Sequence, residues 1–209
     1  MVSIEQFFSN IGNIHHILFL FFPILGAGIK YIDAAFDEEV FNKQHAIIIA
    51  PIVGIIWTVT MSIHPTAATI LLAVIFGVLL KGKIDNTAHI LGFLSVIIMA
   101  IVFGIQPQLI PLIFLTAAAV LDEVGNDVTD YNKKNFYTYR FRHQFSLYFF
   151  GRRYLMKVAI IYLVIIGVFS LEIFLAFLLF DEAYIVTSIF SKSRIKLKEN
   201  NDKGKAVTS

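Results

Sequence analysis

The chain has 209 residues, 57% of them hydrophobic and 15% charged, and a mean hydropathy of +0.76. So low a charged fraction, against the ~25% usual in soluble domains, excludes a water-exposed globular fold. A formal net charge of +2 gives no reason to expect nucleic acid as a partner, and the absence of cysteine excludes disulfides, thiolate metal sites and cysteine nucleophiles.

At ~20 residues per crossing, this length holds about six or seven spans and no separate water-soluble domain. The expected fold is therefore all-α: a polytopic membrane helix bundle of about six to seven transmembrane helices over residues 1–190, then a disordered Lys-rich tail over 191–209. Residues 1–12 carry neither a basic segment nor a small-residue cleavage site before the apolar stretch, so no cleaved signal peptide is expected.

The first apolar stretch runs from about Ile14 to Ile32, and Pro23 inside it predicts a kink rather than an end. Two stretches follow, about Ala46 to Ser62 and Thr66 to Leu80, joined by the uncharged Ile63-His64-Pro65, which reads as a helical hairpin. After the polar segment Lys81 to Asn86 comes a second hairpin, Thr87 to Ile105 and Leu109 to Leu121, turning at Gln106-Pro107-Gln108.

The longest connection, Asp122 to Lys157, holds seven basic residues among aromatic ones such as Tyr137 and Tyr139. From Val158 to Phe190 the chain is apolar again but interrupted by Glu172 and Asp181-Glu182, which leaves one long tilted helix or two short ones open. Carboxylates there must face a polar cavity, a cation or the interface.

Placing Lys and Arg on the cytoplasmic side puts the connections near Lys30 to Lys43, Lys81 to Asn86 and Asp122 to Lys157 inside, with both hairpin turns and the N-terminus outside. The expected location is the plasma membrane of a prokaryote, with membrane lipids as partners.

Two helix ends on that inner side share a pattern: an acid, three residues, Asp, three residues, an aromatic, Asn, Lys. It fits Asp33, Asp37, Phe41, Asn42 and Lys43, and again Glu123, Asp127, Tyr131, Asn132 and Lys133, 90 residues later. The repeat reads as a degenerate internal duplication or as chance. Carboxylates at i and i+4 share a helix face with Cβ atoms about 5–6 Å apart, and they repel unless a cation lies between them. Magnesium commonly combines one or two carboxylates with phosphate oxygens, so paired acids of this kind point to diphosphate chemistry. The plain alternative is that charged residues merely solvate a helix end.

On these residues the chain resembles the UbiA-type intramembrane prenyltransferases, whose paired acidic motifs bind magnesium and an isoprenyl diphosphate. The resemblance covers roughly residues 25 to 180: first motif, two spans, a basic connection, two spans, second motif, then Gly151-Arg152-Arg153 opening another helix. It implies Asp33, Asp37, Glu123 and Asp127 as metal ligands and Lys81 and Lys83 as contacts to the substrate diphosphate. It also implies Mg²⁺ as cofactor and prenyl transfer to an acceptor as the reaction. The chain departs from that family at Ile29 and Lys30, where Asn and Asp normally open the first motif, and in having fewer spans.

Tyr31 or Trp57 could stabilise a carbocation through its ring face. His15, His16 and His64 read as interfacial anchors, and His89 and His143 as solvated residues outside the site. Ala117 to Ala119 and the Ala100/Gly104 pair read as helix-packing positions, and Lys192, Lys196 and Lys198 as head-group contacts. Two other readings compete with the enzyme: a small transporter or substrate-binding membrane subunit, and a non-catalytic membrane protein.

Overall fold

The computed structural model describes residues 14–82, 84–135, 149 and 154–207, with side chains described for 16–82, 84–128, 149 and 154–197. Among these residues there are seven helices and no strand: α1 Ile14–Phe36, α2 Lys43–Ile63, α3 Pro65–Leu80, α4 Thr87–Phe103, α5 Leu109–Asn135, α6 Tyr154–Ile165 and α7 Leu171–Val207.

Four of them are long and apolar enough to cross a membrane, over His16–Phe36, Lys43–Ile63, Leu109–Val128 and Leu171–Leu197. The apolar helices α3, α4 and α6 have 16, 17 and 12 residues. At 1.5 Å per residue they measure about 24, 26 and 18 Å, against a hydrocarbon core of ~30 Å. By length and composition, then, four helices are able to cross a membrane.

Pro23 and Pro51 both lie inside helices, α1 and α2, that continue past them. The polar residues between helices act as caps, which is why the helices start where they do. Asn42 accepts Gln44 N–H at 2.8 Å ahead of α2, His64 Nδ1 accepts Thr66 N–H at 3.1 Å ahead of α3, and Asn86 Oδ1 accepts His89 N–H at 2.9 Å ahead of α4. Pro65 suits the first turn of α3, where its missing N–H costs nothing.

The question left open between Val158 and Phe190 resolves as two helices. Gly167 adopts φ 76°, a left-handed conformation that ends α6, and α7 begins at Leu171. α7 then runs through Glu172, Asp181 and Ser191 without a break. Gly104, read from sequence as a packing position, instead follows α4 at φ 63° with open space around it, so it serves the turn.

The described helices cluster into two compact units. The first comprises Thr60–Asp85 and Phe103–Leu175. Within it α3 packs on α5 at Gly77, where an added Cβ would lie 2.7 Å from the Ala119 Cβ, so the small residues at 118 and 119 do mark a helix contact. Gln108 N–H donates to Thr69 Oγ1 at 2.8 Å, tying the start of α5 to α3. α6 lies along α5, with Phe114 and Tyr162 ring centroids 6.0 Å apart.

The second unit comprises Asn13–Val59, Asn86–Val102 and Ala176–Ser209. Here α2 and α4 approach backbone to backbone, a Cβ at Gly54 meeting the Gly92 carbonyl oxygen at 2.5 Å. Thr58 Oγ1, fully buried, donates within its own helix to Gly54 O at 3.1 Å and lies 3.4 Å from Val96 O of α4. Ile32 and Ala35 of α1, Ala46 and Ala50 of α2 and Ala88 of α4 form one buried cluster, covered by Tyr31, Phe36 and Phe41.

Candidate functional site

The two acidic motifs fall in different units and in different local structures. In the first, α1 carries Asp33 in its last turn and ends at Phe36, Asp37 starts the connection, and Glu39 at φ 52° turns the chain so that Val40 N–H reaches Ala34 O at 3.1 Å. Asn42 of the same motif caps α2. In the second, Glu123, Asp127 and Asn132 all lie inside α5, which continues to Asn135. The shared pattern therefore corresponds to a helix end in one copy and to continuous helix in the other, because Glu39 turns the chain inside the first whereas the second stays helical to Asn135.

In the second unit, Asp33 is the centre of a hydrogen-bonded chain linking three helices. Its Oδ1 lies 3.0 Å from His89 Nε2 of α4, and its Oδ2 accepts from Tyr184 Oη of α7 at 3.0 Å. Asn86 orients the imidazole: its Oδ1 is committed to the His89 backbone N–H, so its amide nitrogen faces Nδ1 at 2.9 Å and donates to it. Nδ1 being an acceptor, Nε2 carries the proton that Asp33 accepts. His89, set aside on sequence as a solvated residue, is part of this cluster, and Tyr184 carried no sequence signal at all.

Beside this chain lies an ion pair. Lys30 is only 8% exposed, a position too costly for an unpaired ammonium, and its Nζ is 2.6 Å from Glu38 Oε1 and 5.7 Å from the Tyr184 ring centroid. Ser191 Oγ donates to the other Glu38 oxygen. Burial alone would raise the Glu38 pKa, but the hydrogen bonds from Lys30 and Ser191 and the charges of Lys30 and Lys192 outweigh it and hold the carboxyl below its usual value of 4.5.

A carboxyl depressed in the folded state stabilises that state fully above its unfolded pKa and loses the contribution as pH falls through the folded value. The native protein should accordingly lose thermal stability on acidification below about pH 4.5. Glu38→Gln should lose less over that range, as read from melting curves of the two proteins in one detergent, and parallel curves would remove the assignment.

In the first unit, Lys81 Nζ lies 2.9 Å from Asp127 Oδ2, joining the basic connection to the second motif. Glu123 is buried in α5. The neighbouring Asp122, not singled out by sequence, is also buried, and its two oxygens accept Leu155 N–H at 3.0 Å and Met156 N–H at 2.7 Å. It thereby caps α6 from a distance of 33 residues in sequence.

Of the six residues expected in the site, Lys83 lies outside the described residues. Asp37 is exposed, Asp33 belongs to the His89 and Tyr184 chain, and Asp127 to the Lys81 pair. Among the described residues no group of three or more His, Asp or Glu gathers as a metal site. Each motif carries two carboxylates, and magnesium commonly takes one or two from protein beside phosphate oxygens and water.

Of the aromatic residues, Tyr31 stacks on Phe41 at 4.5 Å, and Trp57 is buried with Phe180 edge-on at 6.0 Å. No family model, curated protein or solved structure matches the chain.

Proposed function

We propose that the chain is an integral membrane protein of six to seven crossings in the plasma membrane of a prokaryote, its acidic motifs on the cytoplasmic side, and that it transfers an isoprenyl group from a prenyl diphosphate to an acceptor. The observation that carries this reading is the approach of Lys81 to Asp127, a cation from the basic connection set against a carboxylate of the second motif. A diphosphate needs both a cation and carboxylates able to hold Mg²⁺, and this end of α3 and α5 offers both. Asp33 and Asp37 of one motif and Glu123 and Asp127 of the other would each serve as Mg²⁺ ligands within their own unit, and Lys81 and Lys83 would contact diphosphate oxygens. Bound Mg²⁺ would offset the charge that develops on the leaving diphosphate.

In the reaction the allylic C–O bond breaks, diphosphate leaves with the electron pair, and the acceptor forms the new bond and gives up its proton. His89, held by Asn86 and hydrogen-bonded to Asp33, belongs to the first motif's surroundings and would fix the orientation of that carboxylate.

The test is diphosphate release from labelled farnesyl or geranylgeranyl diphosphate with Mg²⁺ and a panel of acceptors. The native protein should release it, and Asp37→Ala and Asp127→Ala should each lose ~10-fold or more, the scale of lost charge stabilisation at such sites. No release from the native protein removes the reading.

One observation favours a transporter instead: an Asp–His–Tyr chain on membrane helices is the kind of group that relays protons in pumps. Proton-driven uptake into proteoliposomes that Asp33→Asn abolishes would establish that reading in place of the enzyme.

A further inference from the structure

α7 is much longer than a bilayer crossing. Its 37 residues extend about 55 Å at 1.5 Å per residue, against ~30 Å of hydrocarbon. Where it leaves the apolar layer is fixed by its contacts within the second unit. The Phe190 ring stacks on Phe41 at 6.3 Å, and Ser191 donates to Glu38. Both partners sit in the connection between α1 and α2, where two long apolar helices meet at Asp37, Glu38, Glu39 and Lys43. That charged connection marks the edge of the hydrocarbon, so the turn of α7 that follows Ser191 stands at head-group level.

The side chains on that turn are sorted by direction. Ser191 is fully buried, whereas Lys192, Arg194 and Lys196 are exposed. At 100° per residue Ile189, Lys196 and Leu197 lie on the face opposite Ser191, with Lys192 on one flank and Phe190 and Arg194 on the other. Ile189, Phe190 and Leu197 are exposed as well. The Arg194 guanidinium lies 5.1 Å from the Phe190 ring centroid, keeping its charge over an apolar side chain. Lys192 also contributes charge toward Glu38, and Arg194 and Lys196 are further exposed cations of the face.

We propose that this face of α7 is a docking surface for the head groups of anionic phospholipids. Apolar residues at its centre enter the outer edge of the acyl region while the cations around them meet the phosphates above, the arrangement by which long basic side chains reach an interface. A basic residue near an anionic surface contributes about fivefold in association, so Arg194 and Lys196 together give a preference of about 25-fold for an anionic over a zwitterionic lipid. The proposal does not depend on any reaction.

The test uses the full chain reconstituted into phosphatidylcholine bilayers containing a minority of phosphatidylglycerol. Spin-labelled versions of each lipid report the fraction held at the protein surface. The native protein should prefer phosphatidylglycerol by about 25-fold at low ionic strength. The preference should collapse in Lys192→Gln/Arg194→Gln/Lys196→Gln and near ~1 M salt, where the Debye length falls to ~3 Å. It should survive in Lys192→Arg/Lys196→Arg, which keeps the charges. An unchanged preference in the triple glutamine variant, or none in the native protein, overturns the proposal.

Discussion

Asp122→Ala should lower the stability of the protein by about 3 kcal/mol, the effect of taking a charged acceptor away from two N–H groups at a buried helix start. Asp122 is 2% exposed, and both of its oxygens are spent on α6, at Leu155 and Met156. Water has no ready access to replace them, and four N–H groups at any helix start lack partners within the helix. Asp122→Asn keeps one acceptor oxygen and should lose roughly half as much. Asp127→Ala serves as the contrast: its pair with Lys81 leaves the carboxylate side chain 45% exposed, and exposed pairs contribute only ~0–1 kcal/mol. Denaturation in mixed detergent micelles, followed by helicity, ranks the three variants. Should Asp122→Ala lose no more than Asp127→Ala, the capping role is wrong.

Gly26→Leu should prevent α1 and α7 from closing on each other and abolish cooperative unfolding of the second unit. A Cβ at Gly26 would run into the carbonyl oxygen of Phe180 and come within 2.8 Å of its carbonyl carbon. Both are backbone atoms that no rotamer change can move. Gly26→Ala sets two effects against each other: alanine gains about 1 kcal/mol of helix propensity, whereas overpacking against rigid neighbours costs about 1–3 kcal/mol or more. The backbone clash should win, giving a net loss of about 2 kcal/mol. Gly92→Ala is milder, because the nearest atom to its Cβ would be the Ala50 carbonyl oxygen at 3.2 Å, and should be close to neutral. Equal melting temperatures for Gly26→Ala and Gly92→Ala would contradict the packing described for α1 and α7.

Much of the fold was legible because burial in lipid leaves a strong one-dimensional record. Uninterrupted apolar runs placed α1 to α4 to within a few residues, and the polar Asn and His residues between them cap the following helices. Span number was less legible, since four helices are long and apolar enough to cross a membrane while α3, α4 and α6, apolar throughout, have 16, 17 and 12 residues. Between Val158 and Phe190 the charges drew the eye, but a backbone feature decides the outcome. Gly167 turns the chain, while Glu172 and Asp181 sit within a continuous α7.

The polar clusters were much harder to read. Asp33 stood out by its spacing from Asp37, but its partners His89 and Tyr184 come from other helices, and a lone histidine or tyrosine near an interface has no local pattern to distinguish it. Asp122 was passed over because the shared motif begins one residue later, at Glu123. The motif itself mixes unrelated roles: Asn42 caps a helix, whereas Asn132 lies within one. Spacing in sequence does not reveal whether the chain turns between the spaced residues, and here Glu39 makes that difference.

The bond between Asp33 and Tyr184 closes over 151 residues of chain. A ribosome adding ~5–20 residues per second takes about 8–30 s to travel that far, a long wait beside the microseconds in which a helix forms. Throughout that interval the nascent protein holds an aspartate without its tyrosine, a Glu38 without its serine and a Gly26 notch without the strip of backbone that fills it. Completion of this half of the protein thus waits for α7, and a product released before α7 would expose the acidic end of α1 to whatever quality-control factors survey unfinished membrane proteins.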